Sequence, residues 1–102
     1  MTLQFRPLGK VKQMIESIGM GITYAYDDLV FSDHSMFIIR FVDDNPGSLL
    51  LYFNIDCDSQ ESFSVEKKLE VVSLDAGFSM KRMGTFEIQQ VEGEESINIL
   101  FY

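Results

Sequence analysis

Apolar positions recur along this chain at two periods, and the changes between them divide it into elements. Val11, Met14, Ile15 and Ile18 are spaced as one stripe of a helix. Pro7 suits a first helical turn, where its missing N–H is no loss. Gly19 suits the left-handed position that ends a helix. Together they predict a short helix over residues 8–18. From Met20 to Asn54 the composition turns to strand formers. Ile22, Thr23, Tyr24 and Tyr26 favour a strand, Asp27-Asp28 a turn, and Leu29-Val30-Phe31 renewed strand. After a second turn at Ser32–Ser35, the runs Met36–Val42 and Leu49–Ile55 read as two strands joined through Asp43–Ser48, where Pro46-Gly47 is a strong turn pair.

Helical spacing returns with Val65, Leu69, Val72 and Ala76, a face that Phe63 and Leu74 would widen. Asp58 with Glu61 has the spacing of a capping box, and Gly77 suits the far end, so a second helix is expected over 60–76. Phe78–Val91 reads as extended, with a bulge or bend at Gly84. Glu92-Gly93-Glu94-Glu95 reads as a turn, and Ile97, Ile99 and Phe101 alternate in a last strand. The predicted fold is α+β, in one domain spanning 1–102. Its antiparallel sheet has four to six strands and two helices packed on one face, in the order α-β-β-β-α-β-β.

Alternation then assigns the two sheet faces. Phe37, Ile39, Phe41, Leu49, Leu51, Phe53 and Ile55 form the set for the helices to cover, joined by Phe86, Ile88, Ile97, Ile99 and Phe101. The opposite face would carry Ile38, Arg40, Leu50, Tyr52, Glu87, Gln89, Leu100 and Tyr102. Two helices cannot cover both sides of such a sheet. A mixed face of tyrosines, arginine and aliphatics has the character of a protein interface. Ile38, Arg40, Leu50, Tyr52, Glu87, Leu100 and Tyr102 are therefore the candidate binding residues, with Arg40 and Glu87 as a polar pair at the margin. The expected partner is a second copy in a homodimer, because one self-complementary patch serves both chains. A client protein is the other candidate.

Charge narrows the classes. Sixteen acidic residues stand against eight basic ones, a net charge of -8 with His34 neutral. That field repels phosphate backbones and anionic lipid heads, so neither nucleic acid nor a membrane surface is an expected partner. At 46% hydrophobic residues, with nine phenylalanines and six methionines, the chain has enough to fill one core. A single cysteine, Cys57, allows no intrachain disulfide. With neither a secretory leader nor a membrane-length apolar run read in it, a cytoplasmic address is expected.

Candidate chemistry is sparse. Asp56-Cys57-Asp58 begins like a calcium loop, but Glu61 and Lys67 stand where the loop needs glycine and glutamate. Asp27, Asp28, Asp33 and His34 can meet across tight turns, which leaves a small metal- or ligand-binding protein, or an enzyme, as the alternative reading. His34 is the only imidazole, Cys57 sits between two carboxylates that oppose its ionisation, and Gly19-Met20-Gly21 follows a helix where a phosphate loop precedes one. No catalytic set, resident metal or cofactor is expected.

The order helix, three strands, helix, two strands resembles the small acidic chaperones of type III secretion and the related YbjN-like proteins. Size and acidity are similar too. The resemblance covers nearly the whole chain as topology and carries no residue motif. It implies a cytoplasmic homodimer that binds an extended segment of a client.

Overall fold

A computed structural model describes residues 7–26, 28–45, 47–90, 93 and 97–102. Asp27, Pro46, Val91, Glu92, Glu94 and Glu95, read above as turns and a strand end, lie outside the described residues. Helix α1 spans Leu8–Ser17 and buries Val11, Met14 and Ile15 of the predicted stripe, while Ile18, its fourth member, is the C-cap and only partly buried. The Pro7 carbonyl accepts the Val11 N–H at 3.1 Å, opening the helix.

Helix α2 spans Ser59–Asp75. The Asp58 carboxylate caps it, accepting the N–H groups of Gln60 at 2.7 Å and Glu61 at 3.3 Å. Gly77 lies just past the end at φ +85°, a conformation that costs glycine least. The buried stripe is thin: Ser62, Val65, Leu69 and Ser73. Both serine hydroxyls are satisfied within the helix, donating to the carbonyls of Ser59 and Glu70. Phe63 and Leu74, expected to widen this face, are exposed. At 100° per residue both fall nearly opposite Leu69, so they point away from the sheet.

Six strands form one sheet in sequential order: β1 Ile22–Tyr26, β2 Leu29–Ser32, β3 Phe37–Phe41, β4 Ser48–Asn54, β5 Ser79–Gln90 and β6 Ile97–Phe101. Residues 22–32 make two strands, so four rather than three precede α2. Neighbours pair antiparallel except β4 and β5, which are parallel. The exception follows from α2: a helix that carries the chain back along the sheet returns it in the original direction.

Both helices lie on one face, as the α+β pattern predicted. Val30, Phe37, Ile39, Phe41, Leu49, Leu51 and Phe53 meet Val11, Met14 and Ile15 of α1 and Val65 and Leu69 of α2 in one core. Ile55, assigned to this face, lies just beyond β4 and is half exposed. No helix among the described residues is long and apolar enough to cross a membrane.

Leu69 is fully buried at the centre of α2's inward stripe. Leu69→Ala is expected to cost about 2–5 kcal/mol in a urea or thermal melt, from lost contacts and the cavity left behind. A melt within experimental error of the parent would show that α2 does not pack through Leu69.

Candidate functional site

Cross-strand partners share a face, so the strand registers locate every candidate. Tyr24, Phe31, Ile38 and Tyr52 line up across β1 to β4 on the side without helices. Leu29, Arg40, Leu50 and Lys81 form the next row. Of the predicted set, Ile38, Arg40, Leu50 and Tyr52 thus share the helix-free face.

Glu87, Leu100 and Tyr102 do not join them. The β4–β5 register runs Leu50↔Lys81 and Leu51↔Arg82, then shifts to Tyr52↔Gly84, Phe53↔Thr85 and Asn54↔Phe86. Met83 is the unpaired residue of a bulge, and an extra residue inverts every side chain beyond it. Phe86, Ile88, Ile99 and Phe101, expected beneath the helices, therefore belong to the helix-free face. Glu87 and Leu100, opposite each other, project to the helix side, as does Tyr102 opposite Thr85. The expected Arg40–Glu87 pair does not form. Arg40 pairs with Asp28 at 2.8 Å, and Glu87 accepts from Gln89 at 2.9 Å and from the Tyr102 hydroxyl at 3.2 Å.

The inversion gives the sheet a second core. Phe31, Ile38, Tyr52 and Phe86 are buried on the helix-free face, with Leu29, Leu50, Ile88 and Ile99 packed around them. Part of the cover comes from β6, across Gly84, which has no side chain and pairs with Tyr52. The Phe101 ring on β6 stands 4.6 Å from that of Tyr52 on β4 across the intervening β5, and the Arg40 guanidinium lies 6.0 Å from the same Phe101 ring. Hydrogen bonding to Asp28, and its charge, raise the Arg40 pKa further above its ordinary value. Sequence reading missed Phe31, Phe86, Ile88, Ile99 and Phe101 as part of this face.

Gly84 makes the approach possible. The Thr85 N–H donates to the Tyr102 carbonyl at 3.2 Å, and the Tyr102 N–H returns a bond at 2.9 Å. That carbonyl crosses directly over Gly84, where any Cβ would collide with it.

The acidic turns are engaged in the fold. Asp27 lies outside the described residues. Asp28 holds Arg40, and the Asp33 carboxylate accepts the Gly21 N–H at 2.9 Å and the Thr23 hydroxyl at 3.3 Å. His34 and Ser35 sit at φ +58° and +50°, left-handed backbone that side-chain-bearing residues adopt at a cost. Their turn is tied down by the Phe37 N–H on Ser32 Oγ and by the Asn54 amide on the Ser35 carbonyl. An open depression of about 320 Å³ lies beside it, lined by His34, Met36, Asn54, Asp56, Cys57, Asp58 and Glu61. Burial first, then the Glu61 and Asp58 carboxylates, push the Cys57 thiol up, which disfavours the nucleophilic thiolate. Among the described residues, no group of three or more His, Cys, Asp or Glu side chains is placed to hold a metal ion.

No protein-family model matches the chain, and no curated protein or solved structure is significantly similar to it.

Two substitutions test this geometry. Gly84→Ala is expected to cost about 1–3 kcal/mol in a thermal melt, because the added methyl must displace the Tyr102 carbonyl. Amide exchange at Tyr102 should speed up more than at Ile39; equal effects would place the damage elsewhere. For His34, a β-branched residue is strained in left-handed backbone, so His34→Val should cost about 1–2 kcal/mol while His34→Gly stays near neutral. Equal melting temperatures for the two variants would show that the turn is not left-handed in solution.

Proposed function

We propose that the protein is a protein-binding module whose docking surface is the helix-free face of the sheet. One observation carries the reading: this face holds a core of its own, Phe31, Ile38, Tyr52 and Phe86, and among the described residues both helices lie on the other face. The rim around that core, Leu29, Leu50, Ile88, Ile99 and Phe101, is aliphatic and aromatic and only partly sheltered. Because the four central side chains are already buried, a partner would cover this rim, with Arg40 and Asp28 as its polar margin. Arg40, held by Asp28 at that margin, offers fixed donors that orient a partner more than they add affinity.

A partly exposed apolar rim suits an extended apolar segment of a client; the likeness to secretion chaperones adds nothing to this, because four strands rather than three precede α2. A second copy on the same face is the other occupant. A cytoplasmic address belongs to the same reading and fits a chain whose single cysteine, Cys57, is free. The metal or enzyme alternative loses support, because Asp28 and Asp33 are already committed to Arg40, Gly21 and Thr23.

The test is site-specific photo-crosslinking in the native cell. A photoreactive residue at Leu50 or Ile99 should yield a discrete adduct, and one at exposed Lys12 on α1 should not. Adding Leu50→Asp should abolish the adduct formed from position 99, with the far-ultraviolet spectrum unchanged. An adduct of twice the chain's mass identifies a second copy, and any other mass identifies a client. Equal labelling from all three positions would overturn the assignment of this face.

A further inference from the structure

Most amphipathic helices keep their large apolar side chains inward. Helix α2 reverses this in part. Serines occupy two of its four buried positions, while Phe63, Val71 and Leu74 are 58%, 62% and 74% exposed. With Lys67 and Glu70 they form one ridge, at spacings of three and four residues, on the side turned away from the sheet. Lys67 Nζ lies 5.2 Å from the Phe63 ring and 3.6 Å from Glu70 Oε2, and both side chains are about half exposed.

The order along this ridge is self-complementary. If a second α2 lies antiparallel against the first, about a twofold axis midway between Phe63 and Leu74, each Phe63 meets the Leu74 of the other copy. Each Lys67 then meets a Glu70 of the other copy, and Val71 fills the space beside that pair. The parallel arrangement would set Lys67 on Lys67 and Glu70 on Glu70. Exposed apolar groups at both ends and opposite charges at the centre are what a closed, isologous contact requires.

We propose that a second copy of this chain docks on the outer ridge of α2, antiparallel, through Phe63, Lys67, Glu70, Val71 and Leu74. The contact is independent of the sheet face and leaves that face free in both copies. One helix pair buries less than the ~800 Å² per partner of a standard stable interface. The dimer is therefore weak and visible only at high protein concentration, the more so because two chains of charge -8 repel each other.

The experiment is sedimentation equilibrium from about ten micromolar to one millimolar at moderate salt, with circular dichroism confirming the fold of each variant. The parent should approach twice the monomer mass, and Leu74→Ser, at an exposed position, should remain monomeric. Lys67→Glu and Glu70→Lys should each weaken association by at least about tenfold, and the double exchange should restore it. Glu70→Lys is the decisive single variant. It lowers the net negative charge, so association governed by overall repulsion alone would tighten. A monomeric parent at one millimolar overturns the proposal, as does tighter association of Glu70→Lys or failure of the double exchange to rescue. Association lost in Leu50→Asp but kept in Leu74→Ser also overturns it, and places self-association on the sheet face instead.

Discussion

The arrangement turns on one unpaired residue in β5. Before Met83, Met80 and Arg82 face the helices, and Arg82 reaches Glu66 of α2 at 2.9 Å while its guanidinium lies 4.9 Å from the Phe53 ring. After Met83, the strand must send Phe86 and Ile88 to the opposite side, where Tyr52 and Ile38 need cover. A regular strand keeps one parity and can satisfy only one of these demands. The bulge satisfies both. Gly84 stands next to it, because the returning β6 backbone leaves no room for a side chain there.

Much of this was legible in the sequence. The stripe of Val11, Met14 and Ile15, the Asp58 cap and the alternation of Phe37 to Phe41 each state a local preference that the fold obeys. Gly84 was readable as a bend. Which residue near it goes unpaired was not, since alternation in Phe86–Gln89 fixes the period of two faces and leaves their identity open. That one-residue ambiguity moved Glu87, Leu100 and Tyr102 to the wrong side of the candidate site and hid Phe86, Ile99 and Phe101 from it. Phe63 and Leu74 were misplaced for a related reason. Apolar residues occur all round α2, and only tertiary packing shows that two of the inward positions are serines.

The two apolar surfaces differ in kind. On the sheet, the central side chains are already dry within one chain, so a partner gains contact mainly with the rim and meets a shaped floor that needs little reordering. On α2, the apolar groups stand singly in water between charges, and each must lose side-chain freedom when covered. The contact proposed on the sheet is therefore the pre-organised one, and the contact proposed on α2 the reversible one, with charge order setting its direction.

The single parallel pairing also differs from the others in what it costs to close. The pairings from β1 to β4 join strands that follow one another through short turns, so that meander can close hairpin by hairpin. Pairing β5 with β4 instead closes the crossover that contains α2, a longer loop than any turn between β1 and β4. Without that closure β4 is an edge strand, with Leu49, Leu51 and Phe53 on one side and Leu50 and Tyr52 on the other. The Asp58 cap favours the helix that makes up most of this crossover, so the same residue that ends the turn after β4 also lowers the cost of the one long closure in the sheet.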